Sequence, residues 1–314
     1  MRRAAALAAL ALAGIVAACE RGGEVTPRGG VDVAVPDFDG QAAYALLERQ
    51  VAFGPRVPGT PGHAEQLAWM TEYLRERADT VILQPFDHQA RRGGTVRMTN
   101  VFARFRPELS DRILLLAHWD TRPTADEDPD QNRRNEPILG ANDGASGVAV
   151  LLQLADVLSR HSPPIGVDIL LTDGEDFGPD EMYLGATYFA ANPVPGPGYR
   201  PLYGILVDMV GDRDPVFPIE PLSYDYAPEV VERVWRLAAE LGYGHIFVRR
   251  RQIAISDDHV PLNRAGIRTI DIIDFNYGPG NSFWHTHKDA LENTSPVGLE
   301  AVGTVLTELI YRGG

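Results

Sequence analysis

Apolar positions along the chain follow two periodicities. Segments with apolar residues three or four positions apart indicate amphipathic helices, and short continuous apolar runs bounded by turn residues indicate buried strands. Helices are predicted at 41–53, 64–78, 144–161, 183–193, 227–244 and 297–312, and strands at 79–89, 95–105, 111–120, 165–176, 203–212 and 267–275. From 111 onward strands and helices alternate, which predicts an α/β domain with a largely parallel sheet covered by helices on both faces.

The first 37 residues have a different pattern. Arg2 and Arg3 precede an apolar stretch, 4–19, which is too short to span a membrane comfortably and is typical of a secretion signal. The ending Val-Ala-Ala-Cys resembles a bacterial lipobox, so we expect cleavage before Cys19 and lipidation of that cysteine. A plain signal peptide with an incidental cysteine is the alternative. Residues 20–37, rich in Gly, Pro and Val, predict a flexible tether before a folded domain at 38–314.

Composition narrows the possible partners. The 314 residues are 44% hydrophobic, enough for one large core, and the formal net charge is −14. A chain with this negative charge is not expected to bind the phosphate backbone of a nucleic acid, so no nucleic-acid partner is expected. Cys19 is the only cysteine, which excludes an internal disulfide. The only membrane attachment that the sequence predicts is the lipid on Cys19.

Several predicted strands end in side chains that bind metal ions. In open parallel sheets the carboxyl ends of the strands lie along one edge, so side chains that are distant in the sequence meet there. The residues are His118, Asp120, Asp173, Glu175, Asp176 and Asp208 at strand ends, Asp143 in a Gly-rich turn before a helix, and His285 and His287 in a late loop. The pattern predicts one polar site at the edge of the sheet.

The residue types at this site favour a divalent ion. Clustered carboxylates repel one another, and a cation removes that cost. Histidine and carboxylate without a thiolate fit Zn²⁺ in a hydrolytic or Lewis-acid role. Glu175 and Asp176 cannot both point the same way from an extended backbone, so one can bind metal while the other acts as a base.

Some of these residues have simpler interpretations. Asp143 is equally well explained as a helix N-cap, since Asp is favoured there. Asp173 is expected to fix its loop, and His287 to lie outside the ligand set. The remaining histidines have no companions in the sequence and are interpreted as surface or packing residues: His63, His88, His161 and His245.

Six motifs in order carry a resemblance to a known family. The chain resembles the M28 zinc peptidases over nearly all of residues 40–314, and within them it looks closest to the glutaminyl cyclases. The resemblance implies a three-layer α/β sandwich around a mixed, mostly parallel sheet, with 38–314 as a single zinc-dependent catalytic domain. The motifs are AHWDTRP (117–123), GANDGASGVAVLLQLA (140–155), TDGEDFG (172–178), LVDMVGD (206–212), SDDHVPLNRAGI (256–267) and FWHTHKDALEN (283–293).

The resemblance also implies a ligand set. Asp143, Asp176 and His285 match the residues that hold one zinc ion in the cyclases. In the peptidases Asp143 would bridge two ions, and His118 and Asp208 match the ligands of the second. The expected cofactor is therefore one zinc ion for a cyclase and two for an aminopeptidase.

Further roles follow from the same resemblance. Glu175 matches the general base, and Asp120 would orient the imidazole of His118. Asp208 and Asp257 match an acidic cluster that binds the substrate amine in the cyclases. The residues expected to contact the substrate are Trp284, Phe177 and Tyr183.

Two reactions fit these motifs, and a third interpretation is less well supported. Asp-Asp-His at 257–259 and Trp284 before His285 favour a cyclase that converts the N-terminal Gln of peptides to pyroglutamate. The alternative is a di-zinc aminopeptidase, because all five ligands for two ions are present. A binding module that only kept the fold predicts lost ligands, and none is lost. Peptide or protein N-termini are the expected substrates, and we expect an exported, lipid-anchored protein at the bacterial envelope, facing the periplasm.

Overall fold

The computed structural model describes residues 34–91 and 93–314. The predicted signal sequence, the predicted lipidation of Cys19 and most of the predicted tether lie outside the described residues. Within Ala34–Gly314 the described chain forms one compact unit. None of the helices in this part is long and apolar enough to cross a membrane.

The helices and strands of the described residues follow the predicted order. The helices are α1 (Gly40–Val51), α2 (Pro61–Arg75), α3 (Ala145–Arg160), α4 (Leu184–Ala191), α5 (Pro221–Tyr226), α6 (Pro228–Glu240), α7 (His259–Arg264) and α8 (Pro296–Tyr311). The strands are β1 (Thr80–Ala90), β2 (Gly94–Phe105), β3 (Arg112–His118), β4 (Gly166–Thr172), β5 (Gly204–Asp208), β6 (Phe217–Ile219), β7 (Phe247–Arg251) and β8 (Thr269–Ile273). Two short 3₁₀ helices lie at Pro279–Asn281 and Leu291–Asn293.

The first two helices begin at cap residues in the sequence. The carboxylate of Asp39 accepts hydrogen bonds from the backbone amides of Gln41 and Ala42, both at 2.9 Å. Thr60 caps α2, whose first residue is Pro61. Side-chain caps satisfy amides that have no partner inside the helix, and proline fits the first helical position.

The main sheet is mixed and mostly parallel, as expected. Its strand order is β1-β2-β4-β3-β5-β8. Strands β4, β3, β5 and β8 run parallel, whereas β1 pairs with β2 and β2 with β4 in antiparallel fashion. Every residue of β3 and β4 is buried, which explains their continuous apolar runs. The parallel strands therefore bring their carboxyl ends to one edge.

Successive residues of β3 face two different hydrophobic cores. Ile113 and Leu115 belong to the larger core, which also contains residues of α1, α2, α3, α6 and α8. Leu114 and Leu116 belong to the smaller core on the other face, formed with residues of α4 and α7. This alternation follows from the two-residue period of a strand and confirms the three-layer architecture.

Helix α3 approaches β5 unusually closely. A Cβ atom at Gly147 would lie 2.0 Å from the carbonyl oxygen of Val207, so only glycine fits. This contact fixes the amino end of α3, which follows Asp143, next to the end of β5, which carries Asp208.

Six short elements were not predicted from the sequence: β6, α5, β7, α7 and the two 3₁₀ helices. They have three to six residues each, too few to display a periodicity. The N-cap interpretation of Asp143 was wrong, because Gly144 occupies the cap position of α3 and no side chain caps it. Asp143 is therefore free of a capping role.

Candidate active site

Loops that follow β3, β4 and β5 bring the predicted side chains together. His118 and Asp208 are the last residues of β3 and β5, and Asp173 to Asp176 follow β4 directly. Asp143 lies just before α3, and His285 comes from the loop between β8 and α8. The edge of the sheet thus collects side chains from five segments, as the strand pattern predicted.

Asp143, Asp176 and His285 form one group that can hold a metal ion. Nε2 of His285 lies 3.6 Å from Oδ2 of Asp143 and 3.5 Å from Oδ2 of Asp176. Two ligands bound to one tetrahedral zinc ion at their usual bond lengths are about 3.3 Å apart. The distances in this group are close to that value and fit a single zinc ion.

His118, Asp143 and Asp208 form a second such group. Nε2 of His118 lies 3.1 Å from Oδ1 of Asp143 and 3.2 Å from Oδ1 of Asp208. Asp143 thus directs one oxygen to each group. A carboxylate that offers one oxygen to each group is able to bridge two neighbouring metal ions.

Buried polar atoms in both groups have no hydrogen-bond partner among the described residues. They are both ring nitrogens of His118, Oδ2 of Asp176 and Nδ1 of His285. Unsatisfied buried polar groups are costly, and an ion bound in these groups would satisfy Nε2 of His118 and Oδ2 of Asp176, which face the other ligand residues. Burial lowers the pKa of His285 to about 4, although Asp143 opposes this, so its imidazole is neutral and suited to bind metal.

Asp120 lies between His118 and the turn after β4. Its Oδ1 is 3.5 Å from Nδ1 of His118, the ring nitrogen that does not face Asp143 and Asp208. Oδ1 also accepts a hydrogen bond from the amide of Glu175 (3.0 Å), and Oδ2 accepts one from the amide of Asp176 (3.2 Å). Asp120 therefore fixes the backbone of Glu175 and Asp176. That Asp120 orients the imidazole of His118 stays a prediction.

Glu175 lies beside the metal groups without belonging to either. Oε2 of Glu175 is 3.9 Å from Nδ1 of His118, and the side chain is buried. Burial raises the pKa of Glu175 well above its ordinary value, opposed by His118 and assisted by Asp257 and Asp176. Burial and Asp208 likewise raise the pKa of Asp257. A carboxyl with a raised pKa can both accept and return a proton near neutral pH.

A cavity of about 340 Å³ opens beside these residues. Its floor carries metal-group residues together with Glu175 and Asp257, and its walls are largely apolar. The ring of Trp284 stacks on that of His285, with centroids 3.6 Å apart, and meets Phe275 edge-on. The sequence did not single out five further lining residues: Ile253, Ala254, Ile255, Ile273 and Phe275. Only the fold shows that these loops meet.

Tyr183 lines the cavity, but Phe177 does not. The hydroxyl of Tyr183 donates a hydrogen bond to the carbonyl oxygen of Ser256 (2.7 Å), which joins two loops of the cavity wall. The ring of Phe177 packs edge-on against His88 instead, with centroids 5.8 Å apart. The expectation that Phe177 contacts the substrate was wrong, because its side chain leaves the turn on the side of β1.

Three residues of this cavity have left-handed backbone conformations. Their φ angles are 59° for Tyr183, 47° for Met209 and 54° for His285. Such conformations cost non-glycine residues about 1–3 kcal/mol each and concentrate at functional sites. All three side chains, of Tyr183, Met209 and His285, line the same cavity.

Asp173 fixes its loop, as expected. It accepts a hydrogen bond from the amide of Thr99 (2.6 Å), and its two oxygens lie 2.9 and 3.0 Å from Nε2 of His63. His63 is buried and stacks on Trp119. It therefore has a companion that the sequence did not reveal. His287 lies outside both metal groups, with Nδ1 2.8 Å from Asp128.

Sequence reasoning also missed Arg122 and Asp126. Arg122 is buried in the loop after β3 and donates hydrogen bonds to both Asp126 and Asp176. Arg122 stands within the motif AHWDTRP, but no spacing rule connects it with Asp176, which lies 54 positions later.

Fold and site together define an α/β enzyme with two groups of potential metal ligands and the buried carboxyl of Glu175 beside them. The model of Peptidase family M28 matches residues 100–310, and the chain belongs to this family. The predictions of family and fold are confirmed.

Relatives of both predicted activities are similar to this chain. The solved structure of a glutaminyl cyclase from Bacteroides thetaiotaomicron, bound to N-acetylhistamine, is 39% identical, has a TM-score of 0.85, and the match covers 89% of this chain and 100% of that one. A leucine aminopeptidase precursor from the same species is 40% identical with a TM-score of 0.86, over 90% of this chain and 100% of that one. The glutaminyl-peptide cyclotransferase of Bothrops jararaca is 24% identical over 306 residues, which covers 82% of this chain and 77% of the relative.

Proposed function

We propose that this protein is a zinc-dependent glutaminyl-peptide cyclotransferase, which converts an N-terminal Gln to pyroglutamate and releases ammonia. The observation that carries the proposal is the cavity in which Glu175 and Asp257, both with raised pKa values, lie beside a metal group and face the apolar wall formed by Trp284 and its neighbours. Cyclisation needs a proton carrier, an anchor for the amine and a compact apolar enclosure for the new ring. The similarity to bacterial and animal cyclases supports it.

Each residue of the cavity has a task in this reaction. Asp143, Asp176 and His285 would hold a zinc ion, which would supply Lewis acidity toward the side-chain carbonyl of the substrate. Glu175 accepts a proton from the α-amine, whose nitrogen attacks the side-chain carbonyl carbon, and then returns the proton to the departing ammonia.

The other side chains of the cavity orient the substrate. Asp257 and Asp208 line the cavity and would hold the amine and the leaving nitrogen. The apolar wall around Trp284 excludes water and holds the glutamine side chain in the one rotamer that closes the ring. Because both reacting groups belong to one residue, fixing that rotamer removes much of the entropic barrier.

An M28 aminopeptidase with two zinc ions is the second candidate. The group His118, Asp143 and Asp208 favours it, because it offers the ligands of a second ion next to the first. In that reaction Glu175 would deprotonate a water molecule that attacks the first peptide bond. We propose one zinc ion per chain for the cyclase, and metal analysis of the purified protein distinguishes one equivalent from two.

One experiment separates these reactions. The purified protein with added zinc is incubated with a Gln-initiated dipeptide and, separately, with leucine amide, and the products are identified by mass spectrometry. We expect loss of ammonia from the dipeptide with its peptide bond intact, and no reaction of leucine amide. Release of a free amino acid would instead establish the aminopeptidase and assign His118 and Asp208 as metal ligands.

We also propose that the protein is exported and anchored by a lipid on Cys19, facing the periplasm. The support is the apolar stretch after Arg2 and Arg3, together with its lipobox-like ending. Its substrates would then be the N-termini of exported peptides and proteins.

A further inference from the structure

The guanidinium of Arg122 connects the loop after β3 with a metal-group residue. Its Nε and Nη2 donate hydrogen bonds to the two oxygens of Asp126, at 2.7 and 3.0 Å, and its Nη1 donates one to Oδ1 of Asp176. The Arg122 side chain is only 3% exposed. A planar guanidinium held at three nitrogens has a single orientation.

This contact divides the two oxygens of Asp176 between different partners. Oδ1 is taken by Arg122, whereas Oδ2 is buried, has no hydrogen-bond partner among the described residues and lies 3.5 Å from Nε2 of His285. The backbone amide of Asp176 is fixed separately by Asp120. The carboxylate is thus restrained at both ends and presents one oxygen to the metal group.

The same loop contacts the second residue of the group. The amide of Glu127 donates a hydrogen bond to the carbonyl oxygen of His285 (3.3 Å), and Oδ1 of Asp126 lies 3.8 Å from Nδ1 of the same histidine. Arg122 and Asp126 therefore connect two of the three residues of this metal group.

We infer that Arg122, anchored by Asp126, is a positioning residue that keeps Asp176 as a one-oxygen metal ligand. The inference rests on the proposed zinc site but not on the reaction performed there. Arg122 has two opposing effects on a zinc ion: its charge repels the ion, and its hydrogen bonds orient a ligand. Because Asp126 pairs with the guanidinium, much of the charge is compensated, and we expect orientation to dominate.

The sign of the change in zinc affinity tests this inference. The full-length protein and the variants Arg122→Gln and Arg122→Lys are titrated with zinc in competition with a chelator. Loss of a group that orients a ligand weakens metal binding by about 10–100-fold. We expect a weakening of this size in both variants, since lysine keeps the charge but lacks the forked donor geometry. Unchanged or tighter binding in Arg122→Gln, or full recovery in Arg122→Lys, would overturn the inference.

Two further variants control for damage to the fold. Asp126→Asn leaves Arg122 in place, alters a side chain that is 33% exposed, and should weaken zinc binding several-fold. Arg133→Gln removes an exposed ion pair with Glu136 in the same loop and should leave the affinity unchanged. The thermal midpoints of the metal-free proteins show whether each variant folds. If Arg122→Gln does not fold, Asp126→Asn decides the question, and unchanged zinc affinity in that folded variant would overturn the inference.

Cobalt provides a readout that a loss of stability alone does not change. With Co²⁺ in place of zinc, we expect the intense visible absorption of a tetrahedral site in the wild type. In Arg122→Gln the freed Oδ1 of Asp176 can also bind, which raises the coordination number and weakens the band. An identical spectrum would contradict the inference. These measurements use no peptide, so they stay valid if the protein proves to be an aminopeptidase, whereas a wild type that binds no zinc would overturn both the metal centre and the role of Arg122.

Discussion

Glu175 and Asp176 are neighbours in the chain with different surroundings. Asp176 faces Arg122 on one side and the metal group on the other, whereas Glu175 faces His118 and the cavity with no cationic side chain within hydrogen-bond reach among the described residues. Asp120 holds the backbone amides of both. The fixed turn directs one carboxylate toward the metal group and the other toward the cavity.

The first prediction concerns the base. Glu175→Gln keeps the size of the side chain but removes its ability to accept a proton, so we expect turnover to fall by about 10²–10⁴-fold. Zinc content, measured on the purified variant, should stay at the wild-type level because Glu175 is in neither metal group. As a matched control, Asp176→Ala should lose the zinc itself. Substantial turnover in Glu175→Gln would remove this residue from the mechanism.

The second prediction concerns the coupling between Glu175 and Asp257. Burial and the charge of Asp257 both raise the pKa of Glu175. The base must be ionised to accept a proton, so kcat/KM rises with pH through this pKa. Asp257→Asn removes a negative neighbour, lowers the pKa of Glu175 and should move the acidic limb of the profile to lower pH, on the order of one pH unit. Asp180→Asn, at an exposed position, should leave the limb in place. If the acidic limb of the kcat/KM profile does not move in Asp257→Asn, the limb reports the pKa of a group other than Glu175.

At the scale of elements, the long periodic segments were predictable and the short ones were not. β3 and β4 are buried along their whole length, so their apolar runs identify them in the sequence. Helices α5 and α7 have six residues each and depend on tertiary contacts rather than on periodicity. Similarly, the positions of His118, Asp176 and Asp208 at strand ends predicted that they belong to one site, because the topology of a parallel sheet brings strand ends together.

The parts of the site that sequence did not predict come from contacts between loops. Arg122 reaches Asp176 across the edge of the sheet, and the side chain of Phe177 turns away toward His88. These directions depend on the conformation of a turn that is fixed by Asp120. Neither a period nor a residue spacing contains that information.

A third prediction concerns helix α5 and the cavity loop. Burial raises the pKa of Glu220, but His259 and three backbone amides lower it more strongly, and the net pKa is about 2. Nε2 of His259 lies 3.4 Å from Oε2 of Glu220. Two of these amides, of Leu222 and Ser223, begin α5, and the third belongs to Ile255 in the cavity wall. Because the pKa of an unfolded Glu is about 4.3, the ionised form stabilises the fold fully above that pH, and this contribution is lost as the pH falls toward 2.

Glu220→Gln tests this contribution. The variant should be less stable than the wild type at pH 7, and the difference in the free energy of unfolding should shrink as the pH falls from about 4.3 toward 2. Urea unfolding of the metal-free proteins at several pH values measures it without interference from zinc release. Glu229→Gln, whose side chain is 53% exposed, should match the wild type throughout. A stability difference that does not depend on pH would contradict the role assigned to the charge.

At the scale of the whole molecule, the proposed active site and the proposed export signal lie in separate parts of the chain. Every residue of the proposed reaction lies between His118 and His285, within one compact unit. The proposed export signal lies in residues 1–19, and residues 20–37 are the predicted tether. A change at the lipidation site is therefore expected to move the enzyme without altering its chemistry.

The fourth prediction follows from this separation. A lipid contributes about 0.8 kcal/mol of membrane affinity per buried CH₂ group, so a chain carrying long acyl groups stays with the membrane. In a Gram-negative host we expect the wild type in the membrane fraction, released by detergent but not by high salt, and Cys19→Ser outside that fraction. Glu20→Gln, which keeps the cysteine, should remain membrane-bound. The specific activity of each form toward a Gln-initiated peptide should be equal in detergent. A Cys19→Ser protein that still sediments with membranes would show that something other than this lipid holds it there.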